Sequence, residues 1–232
     1  MIWRRRYKHR QMLWHWLLRN DVAPVDYSIV RYGSDYGGWN LPSELITSDW
    51  LVYDFGVGED ISFDIALLEQ RRCTIQAFDP TPKAIAFVEN VSLPGFHFHP
   101  LGVWNEDTTI KFWHPRGAAD DSYSALNLHS ASEYIEGEVK TIRSLAKDLG
   151  HEQIDLIKMD IEGAEQLVIP NLIADGIRPT LLCVEYDQSY EVVSLLSLRT
   201  LMTSFRLHRA VLKAGYRLID KSGWNATYLL SS

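Results

Sequence analysis

Gly56-Val57-Gly58 follows the apolar run Leu51–Phe55 and precedes a segment with helical spacing. Without side chains at 56 and 58 the backbone can come close to a ligand, and such a turn exposes amide N–H groups at the start of a helix. A dinucleotide fingerprint needs a third small residue three positions on; Ile61 stands there, which argues against NAD or FAD. About twenty residues past the turn, Asp79-Pro80 closes the run Thr74–Phe78. That spacing suits a carboxylate accepting both ribose hydroxyls of an adenosine-bearing cofactor, with helix capping as its alternative role. Asp54 ends a buried run, where an unpaired charge is costly. It needs partners, either loop amides or a cofactor's ammonium group, unless its role is purely structural capping.

A second acidic group follows the run Ile154–Met159, in Asp160-Ile161-Glu162-Gly163-Ala164-Glu165. Glu185 and Asp187, at the end of Leu181–Tyr186, are expected beside it. Asp160 and Glu162 can position a cofactor or a substrate hydroxyl, and Glu162 or Glu185 can act as a general base. The blander roles are N-capping by Asp160 and a surface position for Glu165. The four carboxylates Asp160, Glu162, Glu185 and Asp187 also have the oxygen-only chemistry of a Mg²⁺ site. Their spacing is not a metal signature, so no metal is expected. His97, His99, His114, His129 and His151 lack metal-ligand spacing as well and are expected in the core or on the surface.

The elements that must position these residues alternate. Leu51–Phe55, Thr74–Phe78, Phe96–Leu101, Ile154–Met159 and Leu181–Tyr186 read as strands, and Thr108–Trp113 and Glu138–Ile142 as two more. Helices are predicted from Asp60 to Gln70, Lys83 to Asn90, Ser144 to Leu149, from about Ala164, and from about Tyr190 to Ala214. Tyr216–Ile219 and Ala226–Leu230 resemble a terminal hairpin. Buried strands alternating with helices predict an α/β fold, a mostly parallel twisted sheet with helices on both faces and a C-terminal antiparallel hairpin. Ligands then bind at the carboxyl ends of the strands.

A chain of 232 residues, 46% apolar and 23% charged, suits one globular domain. Two cysteines in apolar runs, Cys73 and Cys183, fit a reducing compartment, and a cytoplasmic location is expected. The apolar runs fall far short of the roughly 20 residues that span a bilayer. Net charge is −7, but residues 1–20 hold six basic residues and no acid, so the remainder carries −13. Residues 1–30 are expected to form a basic helical extension to a domain at 31–232. The mix of Trp3, Trp14, Trp16, Leu13, Leu17 and Leu18 with these charges suits packing on the domain or a second subunit, or contact with an anionic membrane surface. It makes a poor signal peptide, because His15 and Arg19 interrupt the apolar part.

Together, Val52-Tyr53-Asp54-Phe55-Gly56-Val57-Gly58, Phe78-Asp79-Pro80, Ile157 through Glu165 and Val184-Glu185-Tyr186 resemble the FkbM family of methyltransferases, from about Arg31 to Leu230. The resemblance implies a Rossmann-like class I methyltransferase fold, S-adenosyl-L-methionine as methyl donor, and O-methylation of a sugar, polysaccharide precursor or natural product. With that donor, the expected cofactor contacts are Asp54, Gly56, Val57, Gly58, Asp79, Pro80 and Asp160, and the expected catalytic set is Asp160, which positions the cofactor beside the acceptor, with Glu162 or Glu185 as the base. Two further stretches look like the family, Arg31 through Trp39 and Asp120-Asp121-Ser122-Tyr123-Ser124; either could fold over the pocket, with Ser122 as a cofactor contact. The family commonly has an Asp before the fourth strand, where this chain has Thr141-Ile142-Arg143-Ser144-Leu145. The expected partner is a small-molecule or glycan acceptor. The alternatives are a non-catalytic nucleoside-binding module and a nucleic-acid methyltransferase using residues 1–20 as a phosphate-binding arm, against which the acidic body argues.

Overall fold

The computed structural model describes residues 11–114, 123–127, 132–186 and 195–231. The chain enters through a helix, α1, described over residues 11–17, and a hairpin of β1 (Ile29–Tyr32) and β2 (Trp39–Pro42). Strands and helices then alternate through β3 (Leu51–Phe55), α2 (Ser62–Arg71), β4 (Thr74–Phe78), α3 (Pro82–Val88) and β5 (Phe96–His99). The strands β6 (Gly102–Val103), β7 (Thr108–Trp113) and β8 (Tyr134–Lys140) form a separate small sheet. The alternation resumes with α4 (Ile142–Leu149), β9 (Leu156–Met159), α5 (Glu165–Ala174), β10 (Leu181–Glu185) and α6 (Leu195–Lys213), and ends on β11 (Tyr216–Ser222) and β12 (Asn225–Leu230).

Local chemistry sets several boundaries. Pro82 occupies the first turn of α3, where its missing N–H costs nothing, and the Thr81 hydroxyl accepts the Ala84 N–H. Thr141 caps α4 in the same way, and Gly150 ends that helix in a left-handed conformation.

The main sheet has the order β5-β4-β3-β9-β10-β12-β11. Its first five strands are parallel, and β12 and β11 close it as an antiparallel hairpin. The mostly parallel sheet and terminal hairpin expected from the sequence are therefore present. The order runs outward in both directions from the β3–β9 pair, so the topological switch lies between the carboxyl ends of β3 and β9. In an open α/β sheet that crevice is where ligands bind.

Alternation along each strand divides the core between the two faces. Tyr53, Phe55, Ile157, Met159, Leu182 and Val184 face a cluster closed by α4, α5 and α6. Val52, Leu156, Leu181 and Cys183 face a second cluster closed by α2 and the β1–β2 hairpin. Both cysteines are buried free thiols.

The β1–β2 hairpin and the start of β8 depart from the sequence expectation. The β1–β2 hairpin was not predicted, because its strands are only four residues each, too short to carry a recognisable pattern. β8 begins at Tyr134 rather than at Glu138; pairing with β7 extends a strand in which only Val139 is buried. The Trp/Leu side of α1 packs on the domain, one of the arrangements its residues suit: the first cluster takes in Trp14 and Leu18, Trp14 packs beside Tyr186 and Trp224, and the Ala23 N–H donates to the Leu218 carbonyl. Trp14 and Leu18 thus tie α1 to the core of the domain.

Candidate functional site

The turn after β3 is held from three sides. Gly56 has φ +90°, its N–H donates to the Phe78 carbonyl, and a Cβ there would overlap the Asp160 carbonyl oxygen outright. The missing side chain at 56 therefore admits a neighbouring loop, where the sequence suggested a ligand. Gly58 differs. Its φ is +55°, its N–H donates to Asp79 Oδ2 at 3.0 Å, and a Cβ there would meet nothing within 4 Å. The position over Gly58 is open. Val57 is buried in the core beneath.

A buried charge cluster lies under the turn. The parallel register sets Asp54 beside Lys158 on the face that α2 covers. Lys158 Nζ lies 2.8 Å from Asp54 Oδ1 and donates to the Gly56 carbonyl at 3.2 Å. α2 adds Asp64, completely buried. Burial, first of all, and the neighbouring Asp54 charge push the Asp64 carboxyl well above its ordinary value. As an ion it would have no donor within reach. Burial raises Asp54 too, against the pull of Lys158. Burial alone would neutralise Lys158, but Asp54, Asp160 and Asp64 together hold its pKa above the ordinary lysine value. Asp54 thus takes its ammonium partner from within the protein. Nothing in the sequence around Lys158 marks it as a partner of Asp54; only the register between two strands pairs them.

The loop after β9 carries the acidic residues. The Asp160 N–H donates to the Phe55 carbonyl, which sets this loop against the glycine turn. Glu162 has φ +52° and Gly163 φ +102°, so a side chain adopts the left-handed conformation at a position that glycine would occupy more cheaply. Glu165 holds this path, accepting the Ile161 and Gly163 N–H groups at 2.9 Å each. It is buried, not on the surface, and burial pushes its pKa up to about 8. From the other side the Ser124 hydroxyl donates to the Glu162 carbonyl at 2.7 Å. Ser124 belongs to the stretch that resembled the family; Asp120, Asp121 and Ser122 lie outside the described residues.

Asp79 sits at the end of β4, also buried. Its Oδ1 accepts the Thr81 N–H and hydroxyl at 2.8 and 2.6 Å, and its Oδ2 accepts the Gly58 N–H. A carboxylate has roughly four acceptor positions. This arrangement leaves one, on Oδ2, which suits a single ribose hydroxyl and not the pair. Pro80 packs toward Gly102 and Gly137 of the small sheet. The turn of the β1–β2 hairpin docks on the start of α2: the Ser34 hydroxyl donates to Asp60 Oδ2 at 2.7 Å, and the Ser34 N–H donates to the Ser62 hydroxyl. That brings residues 33–38 beside the glycine turn. The residues present fit a nucleoside ligand, with open space over Gly58, a buried carboxylate with one free acceptor position, and packed loops on each side.

Glu185 ends β10 opposite Asn225 on the α2 face of the sheet, two strands from Asp54, while Asp187 lies outside the described residues. His99 bonds Gln76 and His151 bonds Tyr53, both at 2.7 Å, and His114 packs edge-on to Tyr123; His129 is not described. Among the described residues no group of three or more His, Cys, Asp and Glu side chains is placed to hold a metal ion. None of the described helices is long and apolar enough to cross a membrane.

The methyltransferase FkbM domain model matches residues 53–218. The probable methyltransferase-like protein 24 of Homo sapiens is 25% identical over 140 residues, covering 60% of this chain and 32% of that protein; the Rattus norvegicus counterpart matches equally. The chain spans about a third of the length of these curated relatives. Among solved structures, the fibrillarin pre-rRNA processing protein of Methanococcus jannaschii superposes with a TM-score of 0.45 at 9% identity, covering 89% of this chain and 84% of that one. Human N-acetylserotonin methyltransferase in complex with SAM superposes with a TM-score of 0.37 at 13% identity, covering 80% and 48%.

Proposed function

This chain belongs to the methyltransferase FkbM domain family, and on that premise we propose that it transfers a methyl group from S-adenosylmethionine to a hydroxyl of a sugar, polysaccharide precursor or natural product. The observation that carries this reading is the meeting of two loops at the β3–β9 switch point, where one opens space over Gly58 beside Asp79 and the other carries Asp160 and Glu162. When bound, S-adenosylmethionine supplies a sulfonium methyl already activated for transfer.

The work left to the protein is binding, alignment and proton removal. Asp79 Oδ2 would accept a ribose hydroxyl, and the open position over Gly58 would let the nucleoside approach the backbone. The acceptor oxygen would have to lie in line with the methyl with water excluded, and Asp160, at the end of β9, would help position the cofactor there. A carboxylate oxygen of Glu162 or Glu185 accepts the hydroxyl proton as the new bond forms. The acid-rich surroundings suit a neutral acceptor better than a polyanion.

Calorimetric titration with S-adenosylmethionine, its demethylated product and NAD tests the base of this reading; preferential NAD binding overturns it. Glu185→Gln separates cofactor binding from catalysis. Unchanged affinity for the demethylated product with lowered turnover is expected, and unchanged turnover removes Glu185 from the role of base.

A further inference from the structure

α1 presents two unlike faces. Trp14 and Leu18 are fully buried against the domain, and Lys221 Nζ donates to the His15 carbonyl at 2.7 Å, fixing the helix in place. On the opposite side Met12 is 67% exposed and Trp16 56%, with Leu13 at their flank 40% exposed. The Arg19 guanidinium lies 4.1 Å from the centre of the Trp16 ring. The sequence leading into this helix carries Arg4, Arg5, Arg6, Lys8 and Arg10 without an acid, while the rest of the chain past residue 20 is strongly acidic.

We propose that the outward face of α1, with the basic residues that precede it, docks the protein on an anionic lipid surface. A tryptophan beside an arginine suits the headgroup layer, where the ring is half-buried and the cation meets phosphate. Met12 and Leu13 add apolar area that gains from the acyl boundary, and the basic run supplies attraction to anionic lipids. Nucleic acid offers no medium for Met12 and Leu13, and wrapping one would bring it against the acidic body. A second copy of the chain is disfavoured by area, since a stable interface needs roughly 800 Å² from each partner and three side chains fall well short. A planar bilayer touches this end of the molecule alone and leaves the rest in water.

The test is co-sedimentation of the full chain with vesicles of phosphatidylcholine alone and of phosphatidylcholine containing about a third phosphatidylserine. Binding to the anionic vesicles is expected to exceed binding to the neutral ones at least tenfold, and to fall as salt is raised. Arg4→Gln, Arg5→Gln and Arg6→Gln together are expected to weaken it about a hundredfold, from roughly fivefold per charge. Met12→Ser with Trp16→Ser is expected to weaken it at least tenfold with the thermal midpoint unchanged, because both side chains lie outside the core. Equal binding to both vesicle types overturns the proposal. So does full binding by the Met12→Ser, Trp16→Ser variant, which leaves only diffuse charge attraction. Tighter binding to duplex RNA than to anionic vesicles, or a lipid-free dimer that Trp16→Ser dissolves, assigns the face to another partner and likewise overturns it.

Discussion

The two loops that meet at the switch point leave adjacent parallel strands, and both need left-handed backbone, yet they reach it differently. The turn after β3 uses glycine at both positions, and Lys158 steadies it from below by binding Asp54 and the Gly56 carbonyl. The loop after β9 keeps a glutamate at one of its two left-handed positions and is steadied from the side by Glu165 and Ser124. A turn that offers open space and backbone gains by having no side chains. If the second loop offers its carboxylates to substrate, as proposed, it cannot shed them; it accepts strain at Glu162, on the order of 1 kcal/mol, and draws support from buried hydrogen bonds.

Substitutions can break this contrast. Gly56→Ala has the largest expected effect: the new Cβ meets the Asp160 backbone, so both loops must move, with a loss above about 4 kcal/mol and no measurable calorimetric binding of the demethylated cofactor product. Lys158→Met strands Asp54 as a buried charge and is expected to cost about 3–5 kcal/mol in chemical denaturation. Adding Asp54→Asn to it should restore most of that loss; a double variant as unstable as the single one would assign Lys158 a role beyond charge compensation.

Glu165→Gln comes next. An amide can accept one of the two N–H groups but turns a donor toward the other, which costs about 1–3 kcal/mol. The same variant changes the pH dependence. Glu165 titrates near 8 in the folded protein and at an ordinary value of 4.5 when unfolded, so across that window the folded state holds a proton that the unfolded state has released. Its contribution therefore favours folding below about 4.5 and is lost as pH rises to about 8, with a slope of at most about 1.4 kcal/mol per pH unit. Glu165→Gln should flatten the stability profile over that range, leaving a residual slope of the same sign from Asp64, whose carboxyl is raised as well. The smallest effect is expected from Glu162→Gly. Relief of the left-handed conformation should leave the melting temperature level or raise it by the equivalent of about 1 kcal/mol, while turnover falls. A melting temperature that drops would mean that Glu162 supports the loop as well as straining it.

Much of the sheet was legible because its central strands are continuous apolar runs. Leu51–Phe55 and Thr74–Phe78 have the predicted ends, and Gly150 ends its helix as its type suggested. The β1–β2 hairpin was not legible, since its strands pair with each other and pack on α2 without a pattern of their own. At the site, the positions of Gly58 and Asp79 followed from spacing. The roles of Lys158, Asp64 and Ser124 did not, because each is set by a partner far away in sequence: 104 residues separate Lys158 from Asp54, and 38 separate Ser124 from Glu162.

By itself the sequence determined the α/β alternation, the two acidic strand ends and the glycine turn, because periodicity and local backbone preference are properties of short segments. Only the tertiary structure decided what each acidic group does. Parallel register brought Lys158 to Asp54, α2 carried a third carboxyl beneath the turn, and the close approach of Asp160 to Gly56 used up the space at one glycine while leaving it open at the other. A carboxylate's charge and its free acceptor positions depend on burial and on its neighbours, and both are fixed only when distant segments pack.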